Sequence, residues 1–307
     1  MQEMLKENVD STSISRSSEK QSTSIQHQNK ASIPSSSTQD PTHPPILDHR
    51  KEGNDFFESA RLIKVCPLFS SENYKGNYNI YVSSGIEGII QLQSLDYTKA
   101  LKDPTIYPDL TAIERCCESD KKVLLLDLDE TLIHSDFNQE FPSDSYDAHI
   151  SFIDDEEEFS VGIFIRKGFH QFLKEISKYF IIGIFTASVK PYADAVINHI
   201  DPNQEYIKFR LYRNNCITVK EINIKDLRIF KDIVKQERIV IVDNSIYSFA
   251  NQLSNGILIN SFFNDKEDIE LLNVMSYLLT FIVNAKDVRE VNETFFGFSS
   301  IAKQIAP

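Results

Sequence analysis

Two aspartates two residues apart, Asp127 and Asp129, follow an apolar run in the stretch KKVLLLDLDETLIHS, residues 121–135. A short buried strand over Val123 to Leu126 would deliver both carboxylates into the loop at its C-terminal end. In open parallel α/β sheets that edge is where ligands bind. Carboxylates crowded side by side repel each other unless a proton or a cation joins them. A hard divalent cation such as Mg²⁺ takes oxygen ligands and keeps room for a substrate phosphate. The chemistry suggested is phosphoryl transfer through an aspartyl phosphate. Asp, Glu and Thr are equally common in plain surface turns, so the motif counts only in its context.

That context is a set of elements that would bring further polar residues to the same edge. The run FIIGIF, 180–185, ends in Thr186, and RIVIVD, 238–243, ends in Asp243-Asn244. Taken singly, Thr186 reads as a helix cap and Asp243-Asn244 as a turn. If the three strands are parallel neighbours, their ends converge, with Lys225 lying between the last two in the chain. Phe169, Phe172, Leu173 and Ile176 recur at helical spacing, so 168–178 reads as an amphipathic helix. A second helix starts near Pro191, which suits a first-turn position, and runs to about His199. Further strands are expected at Phe209–Arg213 and Ile257–Ile259, with closing helices at about 266–285. Tyr146–Ile153 and Phe159–Ile165 alternate as a β-hairpin whose tip is the acidic run 154–158, inserted beside the site as a cap. The fold class expected is α/β: a Rossmann-like parallel sheet with flanking helices and a small hairpin insertion after the first strand.

With these residues in view, the chain resembles a known family. DLDETLIHS is similar to the first motif of the haloacid dehalogenase superfamily, in its branch of small phosphatases acting on the RNA polymerase C-terminal repeat. IFTASVKPYADAV, RLYRNNC, IKDL, IVDNS and FANQLSNGILI extend the likeness over 121–290, most closely to the like-protein 2 subgroup. The resemblance implies a Mg²⁺-dependent phosphatase of phosphoserine or phosphothreonine in flexible protein segments, such as the RNA polymerase II C-terminal repeat.

Carried over residue by residue, the resemblance implies Asp127 as nucleophile and Asp129 as the acid that protonates the departing oxygen. Thr186 would hold a phosphoryl oxygen, and Lys225 would offset charge on the phosphoryl group. Asp127, the Asp129 carbonyl and Asn244 would hold Mg²⁺, with Asp243 close behind. Thr131, Ser188, Tyr192 and Arg213 fall at positions tied to substrate or to the loops around it. His134 is expected to pack or cap. The chain departs from the family at Arg166-Lys167-Gly168, where relatives have Arg-Pro, and at Phe262, where they have Trp. It also has Glu221-Ile222-Asn223 where relatives carry a glycine. These departures fall on framework and substrate groove.

Composition narrows the rest. A net charge of −13 argues against a general nucleic-acid surface, because that affinity rests on neutralising phosphates. No apolar run reaches membrane-spanning length, and MQEMLKENVDSTS lacks a secretory pattern. Cys66, Cys116, Cys117 and Cys216 have no metal-finger spacing, so a reducing compartment is expected. The expectation is a soluble monomer of the nucleus or cytoplasm. Residues 1–53, rich in Ser, Thr, Gln and Asn, read as a disordered tail. Residues 54–104 read as an extension partly packed on the domain, and 105–307 as the phosphatase domain, entered through a short helix at Leu110–Cys117. Two rivals stand beside the protein phosphatase: a small-molecule phosphatase of the same superfamily, and a binding protein that keeps the fold without turnover. The short insertion Asp136–Ile165 speaks against the first and the intact polar set against the second.

Overall fold

The computed structural model describes residues 85, 88–95, 100–107, 113–114 and 120–305. The stretch 1–53 lies outside the described residues, as do most of 54–104 and most of the helix expected at Leu110–Cys117. Within the described part of the extension, residues 88–93 are helical, and Ile89 and Leu92 enter the main core. Gln93 Nε2 ties this turn to the Ala250 carbonyl at 2.6 Å.

Five strands form the central sheet: β1 (Lys122–Leu126), β5 (Phe180–Phe185), β6 (Ile207–Leu211), β9 (Ile239–Asp243) and β10 (Gly256–Leu258). Their order is β10-β9-β1-β5-β6, and every pair is parallel. β5 and β9 are buried at every position. Central parallel strands are covered on both faces and so read as continuous apolar runs, which is why these segments stand out in the sequence. Gly183 sits opposite Phe209 across a bulge, and a Cβ there would run into the Phe209 ring.

The register carries the convergence. Leu126 pairs with Ile184 on one side and with Val242 on the other. The Asp127 amide then donates to Val242 O, and the Thr186 amide to Leu211 O, each at 3.0 Å. Asp127, Thr186 and Asp243 therefore leave the sheet side by side.

The insertion is larger than a hairpin. β2 (Ile133–Asp136) pairs with β4 (Glu157–Ile165), which pairs with β3 (Ala148–Asp154), giving an antiparallel sheet of order β2-β4-β3. The acidic run shrinks to a two-residue turn, because Asp154 pairs with Glu157. Asp155 and Glu156 both have positive φ, 49° and 69°, as a tight hairpin turn of the right-handed sheet twist requires. A second small hairpin, β7 (Ile217–Val219) and β8 (Ile222–Ile224), turns at Lys220-Glu221, again with positive φ at both residues. The chain bends there without a glycine.

Helix α1 (Phe169–Ile176) buries the four apolar residues named from sequence. Helix α2 (Lys190–Ile200) has Pro191 in its first turn. The closing region corrects the expected 266–285. Helix α3 starts only at Glu270 (Glu270–Tyr277), where Asp268 Oδ1 accepts the Glu270 amide at 3.0 Å, and passes into a π-turn at Leu278–Ile282. Helices α4 (Val288–Phe296) and α5 (Phe298–Ile305) follow. The strand expected at Phe209–Arg213 runs instead from Ile207 to Leu211, since Arg213 opens a 3₁₀ turn. Among the described residues no helix is long and apolar enough to cross a membrane.

Candidate active site

Asp127 and Asp129 emerge from β1 into different surroundings. The nearer, Asp127, is buried; its Oδ1 meets Lys225 Nζ at 2.5 Å, and its Oδ2 accepts from Thr131 Oγ1 at 2.9 Å. The Lys225 ammonium reaches Asp243 Oδ2 at 2.6 Å as well. This lysine follows β8, and its amide is fixed by Ser248 O at 2.7 Å. Burial works to strip its proton, but the Asp127 and Asp243 carboxylates overcome that and hold its pKa above the ordinary value. Burial likewise pushes Asp243 up, against the pull of Lys225, and the Ser245 amide occupies its other oxygen at 2.8 Å. An ammonium has three protons to give, and two of them are spent on these carboxylates.

Among the described residues Asp129 meets no cation. Ser188 Oγ donates to its Oδ2 at 2.7 Å, and the Tyr192 hydroxyl donates to its Oδ1. The residue keeps some exposure, yet its carboxyl is enclosed enough that burial pushes it up to about 6. The Tyr192 and Ser188 hydroxyls restrain that rise, while the charges of Asp127 and Glu130 add to it. Adjacent carboxylates in unlike settings are the arrangement that separates acid from nucleophile.

Thr186 is buried, and its Oγ1 accepts the Ser188 amide at 2.9 Å, which leaves its own proton to donate. Arg213 is exposed on the same loop cluster; its amide bonds Ser188 O at 3.0 Å and its Nε bonds Ala187 O at 2.6 Å. Asn244 sits half-buried beside Thr131, with Oδ1 3.5 Å from the threonine hydroxyl and Nδ2 held by Ser261 at 3.0 Å. The ten candidate site residues thus fall into two hydrogen-bonded groups at this edge: Asp127, Thr131, Lys225, Asp243 and Asn244 in one, and Asp129, Thr186, Ser188, Tyr192 and Arg213 in the other. Tyr192, open from sequence to either a substrate contact or core packing, is buried with its hydroxyl on Asp129 and Ser135. His134 packs on Phe164 and Phe263 and lies 3.3 Å from Glu130.

Three supports had no sequence signal of their own. Ser135 and Ser261 act through partners more than fifteen residues away, and nothing in their type announces it. Cys216 lies buried beneath Thr186, its thiol near Thr186 O at 3.9 Å. Arg166, in one of the departing segments, is almost fully buried and forks between Asp268, Thr131 O and Asn260 O at 2.7–2.9 Å. Phe262 packs against its guanidinium at 5.4 Å. These two bind the first loop to the loop that carries Ser261.

The donor set suits a hard cation. Among the described residues no three His, Cys, Asp or Glu side chains form a closed metal cage. What the edge offers is oxygen, in the Asp127 carboxylate and the Asn244 amide oxygen on either side of the Thr131 hydroxyl. Mg²⁺ is commonly held by one or two carboxylates with substrate phosphate and waters, and this open set fits that habit. A separate cavity of about 340 Å³ is lined by Gln236, Asn255 and Arg289 at the opposite ends of β9 and β10, and includes none of these groups.

Residues 122–289 match the sequence family described as NLI interacting factor-like phosphatase. The chain is 39% identical over 196 residues to the CTD small phosphatase-like protein 2 of Dictyostelium discoideum, covering 63% of this chain and 33% of that protein. It is 38% identical over 169 residues to the CTD small phosphatase-like protein 3 of Caenorhabditis elegans, covering 55% and 57%. It is 33% identical over 200 residues to the CTD nuclear envelope phosphatase 1B of Danio rerio, covering 63% and 78%. The match thus spans a third of the first relative's length and little over half of the second's.

Proposed function

The chain belongs to the NLI interacting factor-like phosphatase family, and on that premise we propose a Mg²⁺-dependent protein serine/threonine phosphatase that works through an aspartyl phosphate. The observation that carries the reading is the contrast between neighbours: Asp127 is clamped by Lys225 and Thr131, while Asp129 is held by two neutral hydroxyls. One carboxyl, paired with the ammonium, would attack; the other would give and take a proton.

In the first step an Asp127 carboxylate oxygen attacks phosphorus in line, and the bond from phosphorus to the seryl or threonyl oxygen breaks. The departing oxygen takes the proton of Asp129. In the second step water attacks the aspartyl phosphate while Asp129 takes back a proton, and the phosphorus bond to Asp127 breaks. Inorganic phosphate leaves, and Asp127 returns as a carboxylate. Lys225 and Thr186 stabilise the charge that builds on the phosphoryl oxygens; such prearranged charge is usually the largest catalytic contribution. Asp127, Asn244 and the Asp129 carbonyl would hold Mg²⁺, which supplies further neutralisation of the phosphoryl group when bound. Asp243 orients Lys225 in this scheme, since both its oxygens are engaged.

The substrate class we infer is a phosphorylated flexible segment, as in the RNA polymerase II C-terminal repeat that gives several relatives their names. Arg213 stands exposed beside Ser188, where it would meet an acidic neighbour of the phosphate. The place of action we propose is the nucleus or cytoplasm, and the acting form a monomer.

The test is phosphate release by the full chain from phosphoserine, phosphothreonine and phosphotyrosine peptides, with Mg²⁺, with EDTA, and with Asp127→Asn. Metal-dependent release lost in the variant supports the proposal. A folded wild-type protein that releases nothing from any peptide or from an aryl phosphate overturns it.

A further inference from the structure

Tyr192 is buried and its ring is flanked by Phe137 at 5.4 Å and Phe152 at 5.5 Å. Its hydroxyl donates to Asp129 Oδ1, and Ser135 Oγ lies 2.5 Å from that hydroxyl. A phenol has one proton to give. Spent on Asp129, it leaves the phenol oxygen to accept from Ser135, so the hydrogen bonds run in one direction from Ser135 through Tyr192 to Asp129. Ser188 holds the other carboxyl oxygen at 2.7 Å. Donors on two different oxygens fix the rotation of the carboxyl and leave each oxygen a second lone pair. Burial, with the Asp129 charge, keeps the Tyr192 hydroxyl protonated well above its ordinary range.

We propose that Tyr192 is a positioning residue for the general acid: its hydroxyl, set by Ser135 of β2 and by Phe152 of β3, fixes the Asp129 carboxyl for proton transfer. Tyr192 then acts through Asp129 and not by touching the phosphoryl group. The inserted sheet acquires a catalytic purpose beyond covering the site, because Ser135 and Phe152 both belong to it. The inference rests on the reading of Asp129 as the acid.

A leaving-group series separates this role from the alternatives. Nitrophenyl phosphate departs with little help, whereas unsubstituted phenyl phosphate releases a phenol of pKa about 10 and needs a proton. The ratio kcat/KM ends at departure of the phenol, so hydrolysis of the intermediate does not enter. A positioned general acid contributes about 10²–10⁴-fold; Tyr192→Phe is therefore expected to lose about tenfold more on phenyl than on nitrophenyl phosphate. Phe152→Ala and Ser135→Ala should show the same tilt more weakly, and Asp129→Asn more strongly. Circular dichroism checks that each variant is folded, and Ser135→Ala carries the test if Tyr192→Phe is not. An equal loss across the series means a structural role and overturns the proposal. A change confined to phosphopeptide KM means substrate contact and also overturns it. If the wild-type chain hydrolyses no aryl phosphate, the phosphatase reading falls first. If it does but Asp129→Asn shows no tilt, the acid assignment is wrong and this proposal falls with it, while the phosphatase reading stands.

Discussion

Lys225 Nζ lies 2.5 Å from Asp127 Oδ1, across 98 residues of sequence and with both side chains almost fully buried. A buried ammonium without its carboxylates, or the reverse, is costly, and breaking such a pair typically destabilises by about 3–5 kcal/mol. Lys225→Met should therefore lower stability by an amount of that order, since Asp127 and Asp243 would be left facing each other. It should also lower kcat by about 10²-fold or more, the usual cost of losing one charge-stabilising donor. Urea unfolding and phosphate release check the two parts separately. A variant with lost activity and unchanged stability would mean that the three charges are not coupled as the geometry requires.

The titration of Asp129 sets the direction of a pH dependence. Departure of the seryl oxygen needs the protonated carboxyl, and burial pushes Asp129 from 3.8 up to about 6. A raised pKa keeps the proton to higher pH, so kcat/KM on a phosphoserine peptide should be full below about 6 and fall roughly tenfold per pH unit above it. Asp129→Asn should remove that limb. A profile flat from pH 5 to 8 in the wild type would contradict the assignment.

Arg166 makes a fork that lysine cannot copy. Its guanidinium bonds Asp268 twice and two backbone carbonyls, with no exposed side-chain surface. A lysine is a point charge without that planar geometry. Arg166→Lys should cost about 3–5 kcal/mol as a broken buried pair. It should also weaken catalysis, because the carbonyls of Thr131 and of Asn260, the neighbour of Ser261, lose their common anchor. Calorimetric unfolding with and without Asp268→Asn in the same chain reads the coupling; additive losses would mean the two residues act independently.

Asn244 offers its amide oxygen while Ser261 holds its amide nitrogen. Asn244→Ala should raise the Mg²⁺ concentration for half-maximal phosphate release by tenfold or more, an effect of the size seen when metal-site hydrogen bonding is disturbed. Peptide KM at saturating Mg²⁺ should change far less. Titration of Mg²⁺ against activity distinguishes the two, and an unchanged metal requirement would remove Asn244 from the set.

Much of this was legible because central parallel strands cannot hide. β1, β5 and β9 are apolar at nearly every position, and the polar residues that end them are placed by register alone. β2 was not legible: three of its four residues, Ile133 to Asp136, are polar, and it is a strand because β4 lies beside it. β7 and β8 are three residues each, too short for a period to show. Helices α4 and α5 depend on packing among Tyr277, Phe295, Phe296 and Phe298, ring contacts that no period within either helix announces. At the site, residue type and order marked Asp127, Asp129, Thr186 and Lys225. The partner of the Tyr192 hydroxyl lies 63 residues away, and only the folded chain brings it there.

Cys216 lies under Thr186 with its thiol pushed up to about 12 by burial. A thiol reacts with peroxide or an alkylating agent as its thiolate, and at neutral pH this one is neutral and enclosed. A site built on carboxylates above such a sulfur has nothing at its centre for an oxidant to seize. Peroxide at levels that silence phosphatases with a cysteine nucleophile should leave the chemistry of this edge running.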